Sequence, residues 1–204
     1  MARVVALGLF LIGAHPHPLA AQESNHPWSL GLVAGAETFR GASHSSDPEI
    51  GGDASGHPSA DLRLGLGLTR RLGPIEVGIE VTALSTYLEI TAPSIMVQSR
   101  SQSFTRTRLM TAVGVPLTHV GRGALLVRLG PTVDAWALEG GETTTLFGGA
   151  GQLALRVPAG RLGVELGLGY AISESLFNTS DLPGGYERQS LRALSLETAL
   201  RFGL

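Results

Sequence analysis

Apolar side chains fall on every second residue through eight separate stretches of this chain, and the last stretch runs to the final residue. From Leu194 to Leu204, one face carries Leu194, Leu196, Thr198, Leu200, Phe202 and Leu204. The other carries Ser195, Glu197, Ala199, Arg201 and Gly203. A period of two is the mark of a β-strand, whose side chains alternate between faces. Chain ends in water normally fray, so an apolar strand face kept up to the last residue calls for something to cover it. A strand that closes a sheet upon itself loses its open edge and meets that need.

The other seven stretches repeat the pattern. Trp28, Leu30, Leu32, Ala34 and Ala36 oppose Ser29, Gly31, Gly35 and Glu37 in a first segment reaching about Phe39. Leu62, Leu64, Leu66 and Leu68 alternate with Asp61, Arg63, Gly65 and Gly67 in the second, and Ile75, Val77, Ile79 and Val81 with Glu76, Gly78, Glu80 and Thr82 in the third. The fourth, from about Phe104 to Val115, sets Leu109, Val113 and Val115 against Arg106, Arg108, Ala112 and Gly114. The fifth sets Leu125, Val127, Leu129, Val133 and Ala135 against Arg128, Gly130, Thr132 and Asp134. The sixth opposes Phe147, Leu153, Leu155 and Val157 to Gly148, Ala150, Gln152 and Arg156. The seventh opposes Leu162, Val164, Leu166 and Leu168 to Gly163, Glu165, Gly167 and Gly169. Helical spacing fits none of these windows, and strict alternation predicts strands throughout.

The connections are asymmetric. Tight Gly- and Pro-bearing turns are expected within Arg70 to Pro74, Pro116 to Gly123 and Pro158 to Arg161. The longer connections, Gly41 to Ser59, Leu88 to Ser103 and Phe177 to Gln189, all fall at the opposite junctions; Glu139 to Thr143 is a short Gly-Gly loop there. Short turns on one side and long loops on the other describe an up-and-down antiparallel barrel set in a membrane.

Alternation does not say which face is inside, and here composition decides. A water-facing surface should be rich in Lys, Glu, Thr and Ser. This polar face is dominated by Gly and Ala with isolated charges, and the chain contains no lysine. Small residues interleaved with a few long ones suit the interior of an eight-stranded barrel, which is only just wide enough for its side chains. By parity the inward set holds seven acids, Glu37, Asp61, Glu76, Glu80, Asp134, Glu165 and Glu197. It also holds six arginines, Arg63, Arg106, Arg108, Arg128, Arg156 and Arg201. Buried charges are tolerable only when paired, and the guanidinium fork can hold both oxygens of a carboxylate. Two aromatic girdles are expected on the lipid face, Trp28 and Phe202 near one rim, Tyr87, Phe104, Phe147 and Phe177 near the other; Trp136 takes the inward parity and reads as a lumen plug.

The first 21 residues read as a signal peptide, with Arg3, an apolar core from Val4 to Ala14 and small residues up to Ala21. Residues 22–27 follow as a short segment, which the family resemblance given below would place in the periplasm, and 28–204 as one barrel. The absence of cysteine excludes a disulfide framework, and a formal charge of -2 offers no footprint for nucleic acid.

On these residues the chain resembles the small porin-like outer-membrane β-barrels of bacteria, of the OmpX, OmpW and OmpA-barrel kind. The family's C-terminal assembly signal falls here on Glu197, Ala199, Phe202 and Leu204, with Ala in place of the usual glycine and Leu in place of the terminal aromatic. The resemblance implies insertion by the barrel-assembly machinery, termini facing the periplasm, contact with outer-membrane lipid and lipopolysaccharide, and a monomer without cofactors.

Other motifs carry less. His44, Asp47, Glu49, Asp53 and His57 could ligate a metal but lie in a Gly-, Ser- and Pro-rich stretch that reads as a polar loop. A lipid-modifying enzyme would need a serine beside a histidine, and His44-Ser45 is the nearest such pair. Gly148 to Gly151 leads into no helix, so it is no phosphate loop. The function expected is a non-enzymatic membrane barrel with a structural or surface-interaction role and a lumen plugged by Arg/acid pairs. The alternatives are a passive channel for small solutes or apolar compounds and a secreted soluble ligand-binding barrel.

Overall fold

Alternating sequence becomes alternating exposure. In the strand from Leu162 to Ser173 every odd residue is buried and every even one exposed. The structure is a computed structural model that describes residues 27–45, 53–92, 95–139, 141–160, 162–182 and 184–204. The expected signal peptide and the segment after it, up to residue 26, lie outside the described residues, as do Asp47 and Glu49.

The strands are β1 (Trp28–Ser45), β2 (Ala54–Pro58), β3 (Asp61–Leu72), β4 (Ile75–Ala92) and β5 (Ile95–Val120). They continue with β6 (Gly123–Leu138), β7 (Thr143–Ala159), β8 (Leu162–Ser173) and β9 (Glu187–Gly203), with a 3-10 turn at Thr179–Asp181. All are antiparallel to their neighbours, and β9 returns to pair with β1 from Ser29↔Gly203 upward, which closes the ring. The last residue is held as well, since Leu204 N–H donates to the Trp28 carbonyl at 2.9 Å.

Nine strands occupy eight positions around the ring. The short β2 pairs with β1 and with β4, the same two neighbours that flank β3. It is thus the upward continuation of β3 across Ser59 and Ala60. At the break, Ser59 N–H donates to Tyr87 O at 2.7 Å and Thr86 Oγ1 donates to Ser59 O at 2.6 Å, so the interruption leaves these groups bonded. The fold is an eight-stranded antiparallel up-and-down β-barrel of the transmembrane type.

The ends of the ring differ. At one end β3–β4, β5–β6 and β7–β8 are joined by tight turns with Gly73, Gly121 and Gly160 at φ of 64°, 59° and 68°, the left-handed region that favours glycine. Two of these turns are tighter than the sequence indicates: β5 continues through Pro116 to Val120 by way of a bulge, and β7 through Pro158. At the loop end, much of the expected loops is strand. β1 runs on to Ser45, β2 fills part of Gly41 to Ser59, and β4 and β5 extend to Ala92 and from Ile95. These segments lack an alternating apolar pattern, and backbone ladders hold them as strand, with β2 bonded on both edges.

The extensions rise on one side only. β5 pairs with β6 from Phe104 onward, whereas Ile95–Ser99 pair with β4. The β8–β9 ladder stops at Leu191, whereas Glu187–Gln189 pair with β1. A sheet ordered β9–β1–β2–β4–β5 therefore projects beyond the rest of the rim.

Outward faces carry the leucines. Leu62 is 71% exposed and Leu66 54%, and Leu129, Leu168 and Leu196 are similarly bare. A soluble ligand-carrying barrel packs such residues at its centre; here the reverse holds, and the soluble alternative does not fit the fold. Contiguous apolar surface on this scale is ordinary only where lipid covers it.

Candidate functional site: a charged lumen

Inward positions place two ion-pair clusters along the barrel axis. The first lies at mid-height. Arg106, from β5, holds Glu37, from β1, with both Nη atoms, Nη1 to Oε1 at 2.8 Å and Nη2 to Oε2 at 2.6 Å. Arg108, two residues on and so on the same face, donates Nε to Asp134 Oδ1 at 2.6 Å and Nη2 to Oδ2 at 2.7 Å. Its Nη1 also reaches Glu37 Oε1 at 3.3 Å. Arg63 enters from β3, 3.5 Å from Glu37, 3.6 Å from Glu80, and in contact with Glu197. These bidentate forks are the strong form of charge-assisted hydrogen bond.

The second cluster lies at the turn end. Arg156 grips Glu76 across the lumen with both Nη atoms, and its Nε binds the neighbouring Glu165. Arg128 donates to Glu165 Oε1 at 2.8 Å and to Gln152 Oε1 at 2.7 Å, and Arg201 Nη2 lies 3.3 Å from Glu165 Oε2. One carboxylate, Glu165, thus serves three guanidiniums.

Twelve of the thirteen charges read on the inward parity enter these clusters. Asp61 does not. It sits at the start of β3, half-buried, and its Oδ1 accepts from the Leu62 N–H at 2.7 Å. It lies beside Glu37 in the sheet, at mid-height, where β2 carries the same strand position on above it.

Above the first cluster lies an apolar layer of which sequence reading placed only Trp136. Phe39, Leu84, Phe104, Trp136, Leu146 and Leu191 fill the loop end of the lumen, and Leu176 enters from the β8–β9 connection. Phe39 and Trp136 meet edge to face at 5.8 Å. The Arg106 guanidinium lies 5.3 Å from one ring and 5.5 Å from the other, a cation–π contact to each. Phe104 accordingly belongs to this layer and not to a girdle, and Phe177 packs against it half-buried; both were expected at the rim. The available signal was parity, since these β-strand residues share the face of the charges. Trp136 is inside, 1% exposed. Trp28, Tyr87 and Phe147 face outward, with Arg70 over the Trp28 ring at 5.2 Å.

Glu197 and Ala199 of the C-terminal strand point inward and are buried; Phe202 and Leu204 lie on its outer face. His44 Nε2 lies 3.9 Å from Asp53, and His57 Nδ1 lies 3.0 Å from the Pro58 carbonyl. Among the described residues no three His, Asp or Glu side chains gather as metal ligands. His44 and Ser45 are adjacent on β1 and so point to opposite faces, which prevents one from activating the other.

The β7–β8 ladder is paired without interruption from Gly148↔Ser173 to Ala159↔Leu162. An outer groove of about 590 Å³ lies over Gly149 and Gly151, but the wall beneath it is closed by backbone hydrogen bonds.

No family model matches the chain, and no curated protein matches it in sequence. Solved structures do. The crystal structure of Neisserial surface protein A (NspA) aligns over 87% of this chain and 96% of its own, with a TM-score of 0.55 at 12% identity. The outer membrane protein OprG from Pseudomonas aeruginosa aligns over 88% of this chain and 98% of its own, with a TM-score of 0.52 at 12% identity. In fold, this chain is similar to these small outer-membrane β-barrels.

Proposed function

We propose that the protein is an integral barrel of a bacterial outer membrane, non-enzymatic and monomeric, that presents a surface for interaction while its lumen stays plugged. The observation that carries this reading is the inverted arrangement: bare leucines outside, interlocked Arg and acid pairs inside. The names of NspA and OprG, a surface protein and an outer-membrane protein, agree with that location.

The plug has two parts, the apolar layer at the loop end and the ion pairs below it. Moving an ion through would require breaking bidentate pairs with side chains almost fully buried, each worth several kcal/mol in that setting. The interaction surface is the projecting sheet. Its edge at Ile95–Ser99 offers backbone N–H and C=O groups of the kind that accept an added strand.

Lipid contact has its own support. Arg40 and Arg192 are directly opposite across β1 and β9 on the outer face, both exposed, above Leu194. Like charges so placed repel unless an anion lies between them, and the phosphates of lipopolysaccharide supply one. The barrel-assembly machinery would read Glu197, Ala199, Phe202 and Leu204 on β9.

Three measurements test the proposal together. The folded protein should require detergent or lipid and migrate faster on gels before boiling than after. Planar bilayers containing it should show no conductance steps, and steps would establish the channel alternative. Lipid A from producing cells should have an unchanged mass spectrum; a changed acyl pattern would make it an enzyme.

A further inference from the structure

Outside the lumen, two exposed arginines and a glycine-floored groove lie together on the loop half of the outer wall. Arg40 and Arg192 are direct partners across β1 and β9, and Arg192 is also the partner of Ile172 on β8. Neither arginine has an ion pair among the described residues. The acid that follows β8, Glu174, turns its carboxylate to the Phe147 N–H instead, at 3.4 Å. Below Arg192 the outward face of β9 carries Leu194, Leu196, Thr198, Leu200, Phe202 and Leu204 without a charge. That run fills the roughly 9–11 residues a tilted strand needs to cross a bilayer. The two guanidiniums therefore stand at the upper boundary of the apolar band, the level at which lipid phosphates lie.

The groove begins beside them. Gly149 is the partner of Ile172 and Gly151 of Tyr170, so β7 presents two bare backbone positions between Leu129 and the side chains of β8. Leu194, next below Arg192 on the same face, borders the depression, whose volume is about 590 Å³. Small-molecule sites span roughly 300–1,000 Å³. Tyr170 stands half-exposed over the groove, and its hydroxyl makes no hydrogen bond among the described residues. A hydroxyl facing hydrocarbon without an acceptor is costly, and the ester or amide carbonyl at the head of a fatty acyl chain supplies one. Two adjacent guanidiniums match the roughly −1.5 to −2 charge of a phosphate monoester, as in lipid A, better than the single charge of a phospholipid diester. We infer, resting on the outer-membrane reading of this chain, that the wall holds one lipid A molecule. Its phosphate lies between Arg40 and Arg192, and one acyl chain lies over Gly149 and Gly151.

The test measures by native mass spectrometry the lipid retained by the full barrel refolded in detergent. The probes are lipid A with its phosphates, the same lipid A after phosphate removal, and phosphatidylglycerol. One lipid A per barrel should be retained, and each of the other two lipids should bind about tenfold more weakly. Arg192→Gln should bring lipid A down to the level of its dephosphorylated form. Gly149→Leu fills the groove. A Cβ there meets only the Gly130 carbonyl, at 3.8 Å, so the barrel should fold, yet retention should fall about tenfold. Should a variant fail to fold, Arg40→Gln and Gly149→Ala replace these two. Full retention by the groove variant overturns the site, as does dephosphorylated lipid A or phosphatidylglycerol held as tightly as lipid A. A dimer that Gly149→Leu dissociates also overturns it, because a second copy would then fill the groove. A chain that stays folded without detergent would instead overturn the outer-membrane reading, so the two failures are told apart.

Discussion

Arg106 meets Glu37 across the width of the lumen and not along a strand ladder. Its neighbours in the sheet are Leu84 on β4 and Trp136 on β6, while those of Glu37 are Asp61 and Ser195. The pair ties β5 to β1, strands that share no backbone hydrogen bond. It also fixes the height at which the charged layer gives way to the apolar one, because the same guanidinium rests against Phe39 and Trp136.

Breaking that tie from one side should be severe. Glu37→Ala leaves the Arg106 charge buried without its bidentate partner, and about 3–5 kcal/mol of stability should be lost. Replacing both, Glu37→Leu with Arg106→Met, should cost less than Glu37→Ala alone. Urea unfolding of the refolded barrels, read by gel mobility, gives the comparison; a double variant weaker than the single one would contradict it.

The two-part plug predicts a non-additive effect on conductance. Trp136→Ala opens the apolar layer but leaves the ion pairs below it, so planar bilayers should remain silent. Trp136→Ala combined with Glu37→Ala and Arg106→Ala should produce steps. Conductance from Trp136→Ala alone would show that the charged layer does not block.

Depth on the outer face should be readable from single arginines. Leu66→Arg, midway along β3, should lower the folding free energy in lipid by about 2–4 kcal/mol, and Leu72→Arg, at the turn end, by about 0–1 kcal/mol. Equal penalties would mean that lipid does not cover this face in the way proposed.

Glycine matters most where strands approach. A Cβ at Gly130 would stand 1.7 Å from the Thr111 carbonyl oxygen, a backbone atom that cannot yield without moving β5. Gly73, in an open turn, meets nothing within 4 Å and would face only the cost of its positive φ. Gly130→Ala should therefore prevent or slow refolding, while Gly73→Ala should cost about 1–2 kcal/mol. Refolding yield by gel mobility shift separates the two.

Replacing 89–98 by a short Gly-Ser turn tests whether the projecting sheet is dispensable to the barrel. The ladders below it are complete without β2–β4–β5 pairing above Tyr87, so heat-modifiable folding should persist. Loss of folding would assign that sheet a structural role and not an interaction role.

What the sequence by itself determined is everything that depends on parity. Leu62 to Leu68 alternate with Asp61 to Gly67, a strand has only two faces, and composition told which was inside. The eight strands, the closure through Leu204 and the inward position of twelve interlocking charges were legible on that basis. Partners across the lumen were not. Parity places Arg106 and Glu37 inside but says nothing of the height or rotation at which β1 and β5 meet, which depends on the stagger of every ladder between them. The apolar layer of Phe39, Leu84 and Phe104 was hidden for a related reason: apolar residues on the inward face resemble breaks in the pattern until the sheet curls and brings them together. Strand lengths at the loop end were likewise decided by tertiary structure. Gly56 and Pro58 carry no strand signal, and β2 exists only because β1 and β4 supply backbone partners on both of its edges.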